Sequence, residues 1–193
     1  TALFTMATIL HDHPNPALSR LEAEKEVTET LHQALKYCDL DENNPKYPLY
    51  QFRAALIHYR LGSLNHSSIW NLSNDSTNRK GAIHLSKLHY QKATTLFLAS
   101  MDAVNYFTVH MQRFALIEYL AESSSTPQVK LTNYQECLDI LCNVKPMLQL
   151  LIDKKIDLEE CCNVEENDGS FKSLKSLIAL LQNRIQCTLR QLT

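Results

Sequence analysis

Residues 49–66 have the sequence LYQFRAALIHYRLGSLNH, which contains two sets of apolar residues at helical spacing. The first set is Leu49, Phe52, Leu56 and Tyr59, and the second is Tyr50, Ala54, Ile57, Leu61 and Leu64. Spacings of three and four residues place each set on one side of an α-helix. Because a helix with two apolar sides needs a neighbour on each, this stretch predicts a helix inside a stacked helical array.

The rest of the chain has the same helical periodicity, and we predict six further helical segments. They cover residues 1–10, a segment capped by Asn15 that ends near Cys38, residues 82–100, residues 103–121 capped by Asp102, residues 131–156 with a kink or break at Pro146, and residues 170–192. Polar loops separate them at residues 39–48, 71–81, 123–127 and 159–169. Long helices joined by short loops are typical of antiparallel helical hairpins. The predicted fold is therefore all-α, a solenoid or bundle of about six to seven helices.

Length and composition indicate one helical-repeat domain. The chain has 193 residues, enough for a core that needs no disulfide or metal to fold. We expect residues 1–122 to form the repeat part and residues 131–193 a C-terminal hairpin that shares its core. The chain contains only three glycines, which argues against a β-sandwich and against a glycine-rich phosphate loop. It begins without Met inside an apolar run, so we expect a segment of a longer protein.

Charge and hydropathy argue against two classes of partner, and they leave a local basic stripe open as an alternative. The 19 basic residues are offset by 21 acidic ones, for a net charge of −2. Nucleic-acid binding relies on an excess of Lys and Arg, so we expect no direct contact with nucleic acid. The sequence has no apolar run long enough to span a bilayer, and we expect no membrane partner.

The residues that could ligate a metal or catalyse a reaction have ordinary structural explanations. The metal candidates are His11, His13, Cys161 and Cys162. Zinc needs about four ligands, and neither pair has a second pair at suitable spacing nearby, so we expect no metal, no cofactor and no catalytic residue. His58 and His110 lie in apolar helices, where we expect each to be a core histidine with one hydrogen bond. The six cysteines are expected to be buried free thiols in a reducing compartment; they are Cys38, Cys137, Cys142, Cys161, Cys162 and Cys187.

Three short patterns resemble the tetratricopeptide repeat, in which small and large residues alternate at fixed positions of a helix pair. They are Leu61-Gly62, the set Ala93, Phe97 and Ser100, and the set Val27, Leu31 and Ala34. The spacing from Ala34 to Gly62 departs from a regular 34-residue array, which implies lengthened, degenerate repeats. The peptide-holding residues of regular arrays are therefore not carried over to this sequence.

Two longer strings carry a more specific resemblance. Residues 35–68 contain KYCDLDENNPKYPLYQFRAALIHYRLGSLNHSS, and residues 88–97 read LHYQKATTLF. Both are similar to the C-terminal region of the erythroid differentiation-related factor family, and the similarity weakens after Ala121. The resemblance implies a fragment of a large nuclear protein that is linked to transcriptional regulation and erythroid differentiation.

The partner-binding face is expected on the helix at residues 49–66 and just before it. The candidates are Tyr47, Tyr50, Gln51, Arg53 and Arg60. Tyr and Arg are enriched at binding hot spots, and the two arginines favour an acidic protein or peptide. The alternative is that both arginines are paired internally along apolar surface. We therefore expect a protein interaction module; a purely structural solenoid segment or a homodimerisation domain is the first alternative, and an enzyme is the second.

Overall fold

The computed structural model describes residues 2–39, 41, 43–72, 77–154 and 174–192. These residues contain α-helices, one short 3-10 helix and no β-strand, which confirms the all-α prediction. The α-helices are α1 (Ala2–Asp12), α2 (Arg20–Lys36), α3 (Tyr47–Ser68), α4 (Thr77–Ala99), α5 (Ala103–Glu122), α6 (Pro127–Cys142), α7 (Lys145–Asp153) and α8 (Leu174–Leu192), and the 3-10 helix covers Ile69–Asn71. Among these helices, none combines the length and apolarity that crossing a membrane requires.

The chain divides into two compact units, Thr1–Leu96 and Phe97–Thr193. The boundary falls near the C-terminal end of α4. In the first unit, α1 packs on α2 and α2 packs on α3. In the second unit, α5 packs on α6, and α8 packs on both.

The start of α2 differs from the prediction. Asn15 and Pro16 do not begin the helix; the Asn15 side chain instead accepts a hydrogen bond from the Ala17 N–H at 3.0 Å and shapes a turn. Ser19 is the N-cap, and it forms a capping box in which the Glu22 N–H donates to Ser19 Oγ and the Ser19 N–H donates to Glu22 Oε2. The box satisfies two backbone donors rather than one, so the helix begins four residues later than predicted.

The loop predicted at residues 71–81 overlaps helical residues at both of its ends. Residues 73–76 lie outside the described part of the chain, and α4 begins at Thr77 rather than at residue 82. Arg79 is buried, and its Nη1 donates to the Ile69 carbonyl oxygen at 2.7 Å. This bond ties the first turn of α4 to the end of the preceding helical segment, a contact that the polar composition of the loop does not reveal.

The prediction of a kink or break near Pro146 is confirmed. The segment predicted as one helix is two, with α6 ending at Cys142 and α7 beginning at Lys145. Pro146 lies in the first turn of α7, where a missing N–H leaves no hydrogen bond unmade. The segment also begins earlier than predicted, at Pro127. The predicted loop at residues 159–169 and the predicted helix start at residue 170 lie outside the described residues.

The two apolar sides of α3 are buried to different degrees. Ile57, Leu61 and Leu64 belong to the core of the first unit, which they share with α1 and α2. The other side is half-buried, and Leu49 is exposed. The predicted second neighbour therefore covers that side only in part.

Gly62 allows α3 and α4 to approach closely. A Cβ atom added at Gly62 would lie 2.6 Å from Cδ1 of Tyr90, which is fully buried. The Ser86 hydroxyl donates to the Gly62 carbonyl oxygen at 3.0 Å across the same contact. The small residue that resembled the repeat pattern is thus the point where the two helices meet.

The core of the second unit centres on α5. Phe107 and Phe114 are both buried, as expected from the nearly all-round apolar sequence of this helix. Asp102 caps α5 as predicted and accepts a hydrogen bond from the Asn105 N–H at 2.9 Å. An ion pair of 2.8 Å joins Arg184 of α8 to Glu118 of α5.

Candidate partner-binding site

The five predicted binding residues all lie on α3, and all are half-buried. They do not, however, form one continuous site. Tyr50 and Arg53 line a common cavity between α1, α2 and α3, whereas Arg60 lies two turns further along α3 and contacts the end of α1. Tyr47 and Gln51 lie on the same helix but do not line this cavity.

The cavity that contains Arg53, called the arginine cavity below, has a volume of about 260 Å³. Its lining is Ala2, Leu3, Phe4, Ala34, Tyr37, Cys38, Tyr50, Arg53 and Ile57. Arg53 Nε is buried and has no hydrogen-bond partner. Leaving a buried donor unbonded costs about 1–3 kcal/mol, so the Arg53 Nε–H is available to donate to an oxygen of a ligand.

Arg60 has found partners within the chain. Its Nη2 donates to Nδ1 of His11 at 2.8 Å and lies 3.4 Å from Oδ1 of Asp12. His11 and Asp12 end α1, so this contact joins α1 to α3. The geometry of Arg60 agrees with the alternative that this arginine is paired within the chain. A ligand would have to compete with these contacts.

Tyr37 and Cys38, which follow α2 and line the arginine cavity, were not among the predicted binding residues. Tyr37 follows the last residue of α2, and 69% of its surface is exposed. Cys38 is half-buried beside it, and burial raises the pKa of its thiol. The signal was available, since an exposed Tyr at the end of an amphipathic helix has an apolar ring without a core partner.

Three histidines from three helices meet at a second place in the first unit. His58 of α3 and His89 of α4 are both buried, and their Nδ1 atoms are 2.9 Å apart, so that one ring donates to the other. His32 of α2 is exposed, with its ring centroid 6.1 Å from that of His89. The pKa of both His58 and His89 is lowered to about 4, mainly because the rings are buried. The nearby histidines and Lys92 lower it further.

His58 and His32 line an open groove of about 540 Å³, called the histidine groove below. Its lining is His32, Leu35, Lys36, Cys38, Asp39, Ala54, His58 and Lys92. The predicted single hydrogen bond of His58 is confirmed. The same prediction is wrong for His110 of α5, because both of its ring nitrogens are buried without a partner.

The metal candidates divide between described and undescribed residues. His11 contacts Arg60, and the described part of the chain contains no group of three or more His, Cys, Asp or Glu residues that could hold a metal ion. Cys161 and Cys162 lie outside the described residues. Among the described cysteines Cys137 is buried, whereas Cys142 and Cys187 are exposed, so the prediction of buried thiols is wrong for those two.

Comparison with known proteins identifies the family. The family model described as "Erythroid differentiation-related factor 1-like, TPR repeats" matches residues 1–193. The chain belongs to this family. The fold of the family is a helical repeat, in agreement with the helices described above and with the resemblance of Leu61-Gly62 and Ala93 to the repeat pattern.

Curated relatives of the family show the same similarity. The mouse protein named erythroid differentiation-related factor 1 is 36% identical over 178 residues, which covers 91% of this chain and 14% of the relative. The human protein of that name is 37% identical over 159 residues, covering 81% of this chain and 13% of the relative. The Pongo abelii protein is 32% identical over 203 residues, covering 99% of this chain and 17% of the relative. The chain therefore spans only a small part of the length of these relatives, and no solved structure matches it.

Proposed function

We propose that this helical-repeat domain is a non-enzymatic protein–protein interaction module that binds an acidic segment of a partner at the arginine cavity. The observation that carries the proposal is the buried Arg53 Nε, which has no hydrogen-bond partner and lies beside a cavity. A carboxylate entering the cavity would give this donor an acceptor, and a hydrogen bond between charged groups is stronger than a neutral one.

Two tyrosines supply the apolar part of the proposed contact. Tyr50 precedes Arg53 by three residues on α3, and Tyr37 faces the cavity from the end of α2. Tyr and Arg combine a broad contact area with a polar end, which is why they are enriched among residues that dominate binding energy. The proposed ligand is therefore an acidic segment that also carries apolar side chains.

The names of the relatives suggest a biological setting. Relatives called erythroid differentiation-related factor 1 cover this chain almost completely and are much longer. We propose that the domain belongs to a larger nuclear protein with a role in transcriptional regulation and differentiation. Free thiols among the described cysteines are consistent with a reducing compartment.

The test is affinity capture from nuclear extract with the 193-residue chain as bait, followed by mass spectrometry. The variants are Arg53→Glu and Tyr50→Ala, and the matched control is Lys80→Glu, an exposed residue of α4 whose replacement changes the net charge as much as Arg53→Glu does. We expect a reproducible partner that Lys80→Glu retains and Arg53→Glu loses, with unchanged circular dichroism. Arg53→Gln replaces Arg53→Glu if the charge reversal unfolds the chain.

Other outcomes identify the alternatives. Capture that is equal for folded Arg53→Glu and wild type would place the binding face elsewhere. A self-associating species without partners, seen by analytical ultracentrifugation, would indicate a structural or homodimerisation domain. Arg60→Glu is not a suitable probe, because it breaks the contacts of Arg60 with His11 and Asp12.

A further inference from the structure

The histidine groove concentrates positive charge at one place on the first unit. Lys36 at the end of α2 and Lys92 on α4 are both exposed and line the groove, and His32 lies at its edge. Asp39 is the acidic residue of the lining. Two ammonium groups therefore face one carboxylate, and the neutral histidines add further N–H donors.

The buried pair beneath the groove can store one more proton. In the neutral pair, one Nδ1–H donates to the other Nδ1 at 2.9 Å. One added proton makes one ring an imidazolium, which can keep this bond, and burial is the main cost of the new charge. Lys92 of α4 and His32 of α2 oppose that proton. Lys36 and Asp39 also line the groove and bring one charge of each sign. An anion in the groove adds a favourable opposite charge, which raises the pKa of the pair.

We propose that the histidine groove binds a tetrahedral dianion of the phosphate class, held by Lys36 and Lys92, and that binding draws a proton onto the His58–His89 pair. The dianion class fits because two ammonium groups and one carboxylate line the groove, so a ligand with two negative charges finds an excess of positive charge there. The charged residues that line the histidine groove differ from Arg53, the charged residue of the arginine cavity. The inference therefore does not depend on whether Arg53 binds a partner.

Linkage gives the sign of the pH dependence. In the chain without a ligand, the pKa of His58 and of His89 is about 4. Because binding raises this pKa, the complex holds more protons than the ligand-free chain between about pH 4 and the raised value. Affinity therefore rises as pH falls through this window. We therefore expect severalfold tighter binding at pH 5 than at pH 8.

Sulfate is the probe, because it stays a dianion over the whole pH range and any pH dependence then belongs to the protein. Sulfate is titrated into the 193-residue chain at constant ionic strength, and the ring C–H resonances of the histidines are followed by NMR at pH 5 and pH 8. We expect saturable shifts of His32, His58 and His89, tighter binding at pH 5, and no saturable shift of the exposed His84 of α4.

Variants assign the charge to its residues. Lys92→Gln and Lys36→Gln should each weaken sulfate binding about tenfold, the effect of losing one charge-assisted contact of about 1.4 kcal/mol. Lys80→Gln, on the same helix as Lys92 and exposed, is the matched control and should bind as the wild type does. His89→Gln, made in a His32→Gln background so that His32 cannot contribute, should remove the remaining pH dependence while leaving binding at pH 8.

The source of the dianion is distinguished by a second arm. A phosphoserine peptide that binds more tightly than inorganic phosphate, and more tightly than its unphosphorylated form, would identify a phosphorylated protein segment as the ligand. Equal binding of the peptide and inorganic phosphate would identify the free anion. Sulfate shifts that are equal in Lys92→Gln and wild type, or an affinity that is the same at pH 5 and pH 8, would overturn the proposal.

Discussion

His110 is a buried imidazole of α5 with no hydrogen bond at either ring nitrogen. One nitrogen of the neutral ring is a donor and the other an acceptor, and both have been removed from water. Its ring packs edge-on against Tyr106, with 4.5 Å between centroids, and this contact offsets part of the cost. We expect His110→Leu to raise the free energy of unfolding by about 1–2 kcal/mol, because an apolar side chain carries no desolvation penalty.

Urea unfolding checks this expectation, with His84→Leu as the control. His84 is exposed on α4, so its replacement should change stability by less than about 0.5 kcal/mol.

Burial lowers the pKa of His110 from 6.5 to about 3. Between these values the unfolded chain binds the proton and the folded chain does not, so the folded state loses stability as pH falls. The advantage of His110→Leu should therefore grow from pH 7.5 to pH 5, and a constant or negative difference would contradict it.

Contacts between residues that are far apart in the sequence show which features of the candidate site could not be predicted. The sequence predicted that Arg53 and Arg60, seven residues apart, share one face of a helix, and the structure places them at different contacts of α3. The His58–His89 pair joins residues 31 positions apart, and Arg60 meets Asp12 across 48 positions. Such pairs depend on how helices pack, and periodicity along one helix carries no information about it.

At the scale of elements, helix existence followed from periodicity, and helix ends depended on competing local bonds. Asn15-Pro16 and Ser19 with Glu22 are both acceptable helix starts, and the second forms because its capping box satisfies two donors. α4 extends back to Thr77 because Arg79 reaches the Ile69 carbonyl, which lies 10 residues away. Polar composition predicted a loop there, and the tertiary contact overrides it.

The turn between α4 and α5 contains a strained residue. Met101 has a φ of 58°, in the left-handed region. Its N–H donates to the Leu98 carbonyl at 3.1 Å, and the Asp102 N–H donates to the Phe97 carbonyl at 3.0 Å. These two bonds form a Schellman motif, in which the left-handed position is usually Gly. The side chain compensates in part, since Lys154 Nζ lies 2.9 Å from its sulfur.

A pair of variants separates the backbone strain from the side-chain contact. Met101→Ala removes the contact and keeps the strained Cβ, whereas Met101→Gly removes both. We expect Met101→Gly to be more stable than Met101→Ala by about 1 kcal/mol, the cost of a Cβ in the left-handed region. Thermal and urea unfolding measure the difference. Equal stability of the two variants would mean that the turn relaxes around Ala without strain.

At the scale of the whole molecule, the chain divides into two compact units, and a mutation inside one unit tests whether its effect stays within that unit. Gly62 lies in the unit Thr1–Leu96, and Phe107 lies in the unit Phe97–Thr193. The sequence predicts one domain in which residues 1–122 and 131–193 share a core, and helical periodicity, which runs along the whole chain, does not itself mark a boundary. The expectation of a shared core remains testable by asking whether damage in one unit spreads to the other.

Gly62→Ala and Phe107→Ala are the two perturbations. A Cβ at Gly62 would meet Cδ1 of Tyr90 at 2.6 Å, and overpacking of this kind costs about 1–3 kcal/mol. Truncation of the fully buried Phe107 costs about 3–5 kcal/mol. Gly81→Ala is the matched control for the first, because nothing lies within 4 Å of its Cβ, and in the helix it should stabilise the chain by about 1 kcal/mol.

Hydrogen exchange followed by mass spectrometry locates the effect of each change. If the units open separately, Gly62→Ala should speed exchange in α2, α3 and the N-terminal part of α4, and Phe107→Ala should speed it in α5, α6 and α8, because each change lowers the opening free energy of the unit that contains it. Acceleration of both units by either change would show that they open together as one cooperative domain. Since Gly81→Ala changes the same residue type without a clash, faster exchange in that variant would show that loss of glycine, and not contact with Tyr90, is responsible.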